Sequence, residues 1–425
     1  MKFSTDQSLV LPSQLVPIAQ KLEPYRRHLA SVLADTTSEA PESSIRLPTD
    51  NVLFELVTAA TTRVHTATLQ YVIVIGIGGS NLGTQAVYEA IAGSMNLLVD
   101  RLPKLLFLDT ISDEKMTAVT RVLERLTHKE DFFVITISKS GTTTESIANL
   151  EILWAFAGEH FGDCRERFMV ITDEGSRLWE KAREKKLESL PIPTAVGGRF
   201  SVMSAVGLLP LSLAHIDIQA FVDGAAQAVV DGTSEDPHQN HSLTGACLSH
   251  IHAQHGRHIQ NLFLFSPKRE TLGKWVRQLV AESLGKNGIG LLPIVSIGST
   301  DLHSMVQLYL DGPDNIFTTF LSTFVAHVHK VPNQPAFAGL VADIHGTSLD
   351  TIMQAIFGGV KSAYEKVGRP FIDIDLEQGD AWELGYYLQY KMLEVMYLGH
   401  LMGVNAFDQP AVELYKTVTR QLLKK

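Results

Sequence analysis

The chain has 425 residues, of which 45% are hydrophobic and 19% are charged, and its net charge at pH 7 is −10. That length exceeds one compact core and predicts two globular domains, while the acidic balance argues against nucleic acid as a partner. No apolar run approaches the roughly 20 residues of a membrane span, and the N-terminus has no signal-peptide hydrophobic region. Because the only cysteines are Cys164 and Cys247, we expect reduced thiols and a cytoplasmic location.

The first half of the chain begins with a helical lead-in and continues as an alternation of strands and helices. Short β-rich runs occupy residues 71–75, 105–109, 132–137 and 167–172. Helical patterns lie between these runs, and residues 201–232 are helical as well. Strands separated by helices predict a parallel sheet with helices on both faces.

A polar, turn-rich segment at residues 231–242 is the best candidate domain boundary, and a second alternation follows it. Its predicted strands are residues 259–265, 291–297, 315–322 and 370–375, and its predicted helices are residues 269–284, 303–310, 346–366 and 380–403. The tail is predicted as a final helix, with Asp408 as its N-cap and Pro410 in its first turn. The chain therefore divides into a lead-in, two α/β domains and a C-terminal helix, at residues 1–50, 51–232, 240–405 and 406–425.

A glycine-rich turn, GIGGSNLG at residues 76–83, joins the first predicted strand of the alternation to a helix. Glycines permit a tight bend and let backbone N–H groups approach a ligand, and a helix N-terminus favours anions. The turn lacks the third glycine of a dinucleotide pattern, because Asn81 occupies that position, and it lacks the lysine of a P-loop. By its residues alone it fits either a phosphate site or a structural turn.

A second turn, ISKSGTTTES at residues 137–146, carries six hydroxyl side chains. Serine and threonine are common helix caps, but six hydroxyls exceed what one cap uses. We therefore interpret the turn as an anion cradle to which Lys139 could add charge. In open α/β sheets, ligands bind at the carboxyl ends of strands near a switch in strand order, so both turns are expected to face one pocket.

Polar side chains that lie among apolar residues in two helical segments are further candidate site residues. Arg199 follows two glycines and precedes an apolar helix in GGRFSVMSAVGLLPL, which predicts a half-buried arginine able to grip a phosphate or an oxyanion; a surface ion pair is the alternative. Gln278 and Glu282 are four residues apart and share one helix face. Apolar neighbours predict a buried helix end, so Glu282 is either a base with a raised pKa or half of a buried ion pair.

For two more candidate site residues, the residue type and its sequence context give weaker support. His303, in GSTDLHS, lies just past a predicted strand and can exchange protons near neutral pH, although histidines at helix starts are usually structural. Lys416, in FDQPAVELYK, would by chemistry alone be an exposed lysine. The histidines of SHIHAQHGRH, residues 249–258, lack the cysteine or carboxylate partners of an evident metal site.

Six motifs together carry a resemblance to a known family. They are GIGGSNLG, ISKSGTTTES, GGRFSVMSAVGLLPL, ESLGKNG, GSTDLHS and FDQPAVELYK. In this order, from residue 76 to residue 416, they resemble the phosphoglucose isomerase family in its shorter bacterial form. The resemblance implies two sugar-isomerase (SIS) domains of flavodoxin-like topology, each a mostly parallel sheet flanked by helices, plus a C-terminal helix. It also implies a homodimer that acts on a hexose 6-phosphate without a metal or an organic cofactor.

The same resemblance implies a role for each candidate residue in the reversible isomerisation of glucose 6-phosphate to fructose 6-phosphate, a step of glycolysis and gluconeogenesis. The sugar phosphate would be held by Gly79, Ser80, Ser138, Lys139, Ser140 and Thr143. Glu282 would move a proton between C1 and C2 of the open-chain sugar, with Gln278 and Arg199 near the enediol oxygens. His303 and Lys416 would assist ring opening, with His303 supplied across the dimer interface.

Two other classes of function stay open. Gly76, Gly78 and Asp109 fit a nicotinamide-dependent oxidoreductase, although the missing third glycine and the long spacing to Asp109 count against it. SIS domains also serve as binding modules. A non-catalytic sugar-phosphate sensor would need neither Glu282 nor His303.

Overall fold

The computed structural model describes residues 1–324 and 329–423, and it shows an α/β protein with two sheets. The strands are β1 (Lys2–Ser4), β2 (Tyr71–Ile75), β3 (Lys104–Leu108), β4 (Phe132–Ile137), β5 (Phe168–Thr172), β6 (Glu188–Pro191), β7 (Ile259–Phe265), β8 (Leu292–Ile297), β9 (Ile316–Ser322) and β10 (Phe371–Asp375).

The helices alternate with these strands along most of the chain. They are α1 (Pro12–Ala34), α2 (Asn51–Val64), α3 (Leu82–Ala92), α4 (Asp113–Leu123), α5 (Thr144–Phe161), α6 (Arg177–Lys185), α7 (Ala205–Leu213), α8 (Ile218–Gly232), α9 (His241–Gln254), α10 (Glu270–Leu284), α11 (Val306–Asp311), α12 (Leu349–Val367), α13 (Ala381–Met402) and α14 (Val412–Leu422).

The first sheet is entirely parallel, in the order β3-β2-β4-β5-β6. All six residues of its central strand β4 are buried, as expected for a strand covered by helices on both faces. This is the flavodoxin-like order, in which the direction of winding switches between β2 and β4. The turns that follow these two strands therefore flank the switch point.

The second sheet has the order β1-β10-β9-β7-β8. Its strands are parallel except for β1, which pairs antiparallel with β10. Leaving β1 aside, the winding again switches, here between β7 and β9. The predicted fold class, two mostly parallel sheets flanked by helices, is confirmed.

The strands at residues 71–75, 132–137 and 259–265 were predicted with their observed bounds. The strand predicted at 105–109 is shifted by one residue, and the other predicted strands start one residue too early. Strands β1 and β6 were not predicted. Each is only three or four residues long, so neither has the apolar run that marks a strand in sequence. The lead-in consequently contains a strand of the second sheet as well as α1.

Helix α13 joins the two halves into one packed structure. It is buried along almost its whole length and packs against α8 and α9. Two glycines permit the close approach of α8 and α13, because a Cβ at Gly224 or at Gly385 would lie 1.9 Å from a backbone carbonyl oxygen of the other helix. One hydrophobic core therefore includes residues from both sheets, and the proposed domain boundary at 231–242 stays a prediction.

The C-terminal helix differs from its prediction at its start. It begins at Val412 with Ala411 as its N-cap and no side-chain cap, so the prediction of Asp408 as N-cap is wrong. Asp408 instead pairs with Lys286, with a distance of 3.3 Å between Oδ1 and Nζ. This pair holds the segment before α14 against the end of α10.

Two further expectations can be compared with the described residues. Both cysteines are buried and free. Among residues 1–324 and 329–423, no helix combines the length and apolar character that crossing a membrane requires.

Candidate active site

The glycine turn lies directly against two other predicted parts of the site. Gly78 has a φ of +58°, and a Cβ there would lie 2.8 Å from the side-chain nitrogen of Gln278. A Cβ at Gly79 would lie 2.2 Å from the carbonyl carbon of Gly198. Only glycine at position 79 lets the two backbones meet this closely, so the turn is part of the structure that places Arg199 and Gln278.

The hydroxyl turn follows β4, beside the glycine turn that follows β2. The hydroxyls of Ser138 and Thr143 lie 2.9 Å apart, and Thr143 occupies the N-cap position of α5 without capping it by its side chain. Ser140 accepts a hydrogen bond from the Thr142 amide at 3.3 Å. The Ser146 hydroxyl is buried and has no hydrogen-bond partner in the described part of the chain. Hydroxyls that do not cap the helix, next to its free N–H groups, can bind an anion.

Lys139 directs its ammonium group towards the protein. Nζ donates to the carbonyl oxygens of Thr194 at 2.7 Å and Val196 at 2.8 Å. Burial lowers the pKa of Lys139, and the nearby carboxylate of Asp173 partly offsets this shift. The hydroxyl turn is thereby tied to the segment that leads to Arg199.

Arg199 is 3% exposed, which goes beyond the predicted half-buried state and rules out a surface ion pair. Burial lowers the pKa of its guanidinium, while Glu282 and Asp408 raise it. Its nitrogens donate to the Ser283 hydroxyl at 2.7 Å, the Gln409 side-chain oxygen at 2.7 Å, and the carbonyls of Ala406 at 2.6 Å and Asp408 at 3.1 Å. Because each of its three nitrogens donates at least one hydrogen bond, the guanidinium is held in one orientation.

Glu282 lies between Gln278 and Arg199. The Gln278 amide donates to one carboxylate oxygen at 3.2 Å, and Arg199 lies 3.4 Å from the other. The predicted shared helix face is therefore observed. The expected burial is only partial, because the Glu282 side chain is 34% exposed while the apolar residues around it, such as Leu279 and Leu284, are buried. Glu282 lies at the C-terminal end of α10, where its carboxylate reaches the surface of the site.

Within residues 1–324 and 329–423, two buried polar atoms in and beside the glycine turn have no protein partner. They are the side-chain nitrogen of Asn81, in the glycine turn, and the side-chain oxygen of Gln278. Buried polar groups are nearly always hydrogen-bonded, to protein, to water or to a ligand. Each of the two atoms therefore has a hydrogen bond that water or a ligand can supply.

Neither His303 nor Lys416 is bonded to this cluster within the described residues of the single chain. His303 is exposed, just after the turn that follows β8. Lys416 pairs with Glu413 at 2.8 Å on α14, a helix with no buried residue. In the part of the chain that the structure describes, neither side chain hydrogen-bonds to Glu282 or Arg199.

Sequence reasoning missed two residues that hold the site together. Ser283 and Gln409 accept hydrogen bonds from Arg199, in addition to its contact with Glu282. Both lie inside quoted motifs, ESLGKNG and FDQPAVELYK, and their polarity beside apolar residues was the available signal. The histidines at 249–258 have a structural explanation in part, because His252 stacks on Phe317 with ring centroids 4.0 Å apart and contacts the Ser8 carbonyl at 3.0 Å.

Fold and site together define an α/β protein of the SIS type, with two polar turns at the switch point of its first sheet. Comparisons with known proteins agree with this class. The family model described as phosphoglucose isomerase matches residues 26–425. A glucose-6-phosphate isomerase of Rubrobacter xylanophilus is 33% identical over 396 residues, which cover 90% of this chain and 89% of that protein. The chain belongs to the phosphoglucose isomerase family.

Solved structures show the same fold. A hypothetical protein from Thermus thermophilus has a TM-score of 0.87 at 29% identity, with all of both chains covered. A glucose-6-phosphate isomerase from Chlamydia trachomatis has a TM-score of 0.80 at 21% identity, with 99% of this chain and 88% of that chain covered.

Proposed function

We propose that this chain is a glucose-6-phosphate isomerase, which interconverts glucose 6-phosphate and fructose 6-phosphate by ring opening and enediol proton transfer. The observation that carries the proposal is the position of Glu282. A partly exposed carboxylate lies between an amide and a buried guanidinium, next to the glycine turn at the switch point of the sheet. Family membership supports the same reaction.

The phosphate of the sugar would bind at the two turns. Ser80, Ser138, Ser140 and Thr143 would supply hydroxyls, and the backbone at Gly79 and the N-terminus of α5 would supply N–H groups. Lys139 belongs to the same turn. Phosphate binding gives remote anchoring energy that positions the reacting carbons.

Glu282 would take a proton from one of the two carbons and return it to the other. This requires a carboxylate that reaches both carbons, and a group at the surface of a site fits that role better than a buried one. Gln278 and Arg199 would favour charge as it develops on the enediol oxygens. No redox step is involved, because hydrogen moves as a proton, so the proposal includes no metal and no organic cofactor.

His303 and Lys416 would assist ring opening. The exposure of His303 supports its action on the site of a second copy, which makes a homodimer part of the proposal. A cytoplasmic location is part of it too, since hexose phosphates are intracellular metabolites of glycolysis and gluconeogenesis.

Proton exchange in deuterated water tests this proposal directly. Each hexose 6-phosphate is incubated with the protein, and the product is analysed for deuterium. Deuterium at C2 of glucose 6-phosphate or C1 of fructose 6-phosphate is expected, together with conversion between the two sugars. Tight binding of both sugars without exchange would instead establish a sugar-phosphate sensor.

The sheet order and the position of Asp109 both count against the oxidoreductase alternative. The first sheet has the flavodoxin-like order rather than the order 3-2-1-4-5-6 of dinucleotide-binding sheets. Asp109, which would bind a ribose, pairs with Lys115. Reduction of nicotinamide cofactor without a coupling enzyme would be needed to restore this alternative.

A further inference from the structure

The ammonium group of Lys139 bridges two loops of the site. It bonds to the Thr194 and Val196 carbonyls, which belong to the segment between β6 and Arg199. The segment starts with a hydrogen bond from the Ile192 N–H to the Thr172 carbonyl of β5 and ends in a 3-10 turn at Gly198–Phe200, and residues 194–197 between them lie in neither a strand nor a helix. Two further backbone hydrogen bonds close short turns in and just after the segment. The Val196 N–H donates to the Pro193 carbonyl, and the Phe200 N–H donates to the Gly197 carbonyl.

Burying an ammonium costs free energy that hydrogen bonds must offset. The shift of the Lys139 pKa reflects that cost. The side chain nevertheless donates its described hydrogen bonds to backbone carbonyl oxygens of another segment. The observed geometry therefore uses the charge to hold backbone in place.

The segment ends where small displacements matter. A Cβ at Gly79 would lie 2.6 Å from the Arg199 amide nitrogen, so the two backbones are already in close contact. Arg199 in turn lies 3.4 Å from the Glu282 carboxylate. Movement of residues 194–198 would shift both the glycine turn and the guanidinium.

We propose that Lys139 is a positioning residue, whose ammonium clamps the segment 194–198 so that Arg199 stays aligned with Glu282. This inference rests on the proposed isomerisation for its kinetic consequence. It assigns to the Lys139 side chain a role in turnover, in place of direct contact with the substrate phosphate. The hydroxyls of Ser138 and Thr143 then carry the phosphate contacts with the backbone.

Steady-state kinetics of Lys139→Met and Lys139→Arg, with inorganic phosphate as a competitive inhibitor, separate the two roles. We expect Lys139→Met to lower kcat by about 10- to 100-fold, since a misplacement near 1 Å can cost that much. KM and the inhibition constant of phosphate should change less than about 3-fold, and Lys139→Arg should restore most of kcat because it keeps donors for both carbonyls. A large rise in KM and in the phosphate inhibition constant with kcat retained would overturn the inference, as would unchanged kinetics.

Amide hydrogen exchange tests the clamp without any reference to catalysis. Exchange at residues 196–201 should be faster in Lys139→Met than in the wild type, whereas exchange in β7 should be unchanged; equal exchange at 196–201 would contradict the clamp. If the wild type does not isomerise hexose phosphates, the proposed function fails and exchange still decides this inference. If Lys139→Met does not fold, a wild-type crystal soaked with inorganic phosphate decides it: Nζ should remain on the two carbonyls, and its movement to phosphate would refute the proposal.

Discussion

The carboxylate of Glu282 has two neighbours with different functions. Gln278 donates a neutral hydrogen bond, while Arg199 supplies a permanent positive charge from a buried position. Charge in a partly desolvated site acts more strongly than in water. Arg199 is also bonded to Ser283, so its orientation does not need substrate to become fixed.

Replacing Glu282 with glutamine should remove the base while keeping the shape of the side chain. We expect kcat to fall by about 10²–10⁴-fold, the usual scale for the loss of a general base, with substrate affinity retained. Steady-state kinetics and calorimetric binding of fructose 6-phosphate measure both quantities. Glu159→Gln, at an exposed position of α5, is the control and should behave as wild type. Near-normal turnover of Glu282→Gln would remove Glu282 from this role.

The paired hydroxyls of Ser138 and Thr143 should act on binding. A hydrogen bond to a charged group contributes about 1.5–3 kcal/mol, so the double change Ser138→Ala with Thr143→Ala is expected to raise KM by at least about 10-fold. Inhibition by inorganic phosphate should weaken in parallel. Thr142→Ala, an exposed neighbour, serves as the matched control. If phosphate inhibits the double variant as well as the wild type, the cradle lies elsewhere.

The site is built where helices α3 and α10 pack together. The two helices are in contact; the glycine turn precedes α3, and Gln278 and Glu282 lie on α10. Trp275 of α10 is buried, and Gly83 of α3 leaves room for it, because a Cβ at Gly83 would lie 3.3 Å from the indole nitrogen. This packing brings a turn of the first sheet to a helix of the second half.

Gly79→Ala should disrupt this contact. Its Cβ would overlap the Gly198 backbone, so we expect a loss of stability of about 1–3 kcal/mol, typical of overpacking, and a fall in kcat because Arg199 is displaced. Thermal unfolding and kinetics measure the two effects. Gly158→Ala in α5, where a Cβ would have no neighbour within 4 Å, is the control and should stabilise slightly. A Gly79→Ala protein with wild-type activity would show that the close approach is dispensable.

Helix α14 should matter for activity more than for stability. It has no buried residue, so deleting residues 411–425 should change the free energy of unfolding by less than about 1 kcal/mol. If Lys416 assists ring opening, the deletion and Lys416→Ala should lower kcat to the same extent, while Arg420→Ala should not. Assays that start from fructose 6-phosphate and from glucose 6-phosphate measure the effect in both directions. Full activity of the deletion would remove Lys416 from the proposed site.

For the whole molecule, the proposal requires that one chain does not complete its own site. His303 is exposed and makes no described hydrogen bond to Glu282, within residues 1–324 and 329–423. A two-fold dimer can supply such a residue reciprocally, because the same surface of each copy meets the other.

Mixing two inactive variants tests this arrangement. In a heterodimer of Glu282→Gln and His303→Ala chains, one site loses both residues and the other keeps both. After unfolding and refolding together at equal amounts, half of the dimers are mixed, so activity should recover to about a quarter of the wild-type value. Each variant refolded alone is the control. Absence of recovery, with mixed dimers demonstrated by mass spectrometry, would place His303 and Glu282 in the same chain or exclude His303.

Much of this structure can be predicted from local sequence. The predictions that were missed or wrong concern very short strands and contacts between residues far apart in the chain. Long apolar runs such as residues 132–137 predicted their strands, and the four-residue spacing predicted the shared helix face of Gln278 and Glu282, because both depend on periodicity within one element. Strands β1 and β6 are too short to carry that signal. The cap of α14 was mispredicted because Asp408 is held by Lys286, a partner more than a hundred residues away.

The alternating architecture, the two polar turns and the six motifs of the family can all be recognised in the amino-acid sequence. Which groups those turns contact is seen only in the folded molecule. The structure showed that Arg199 is fully bonded to Ser283 and the segment before α14, that Glu282 is partly exposed, and that Lys139 bonds to backbone carbonyls. The reason is physical: periodicity is a property of neighbouring residues, whereas burial and hydrogen-bond partners depend on chain segments that meet only after folding.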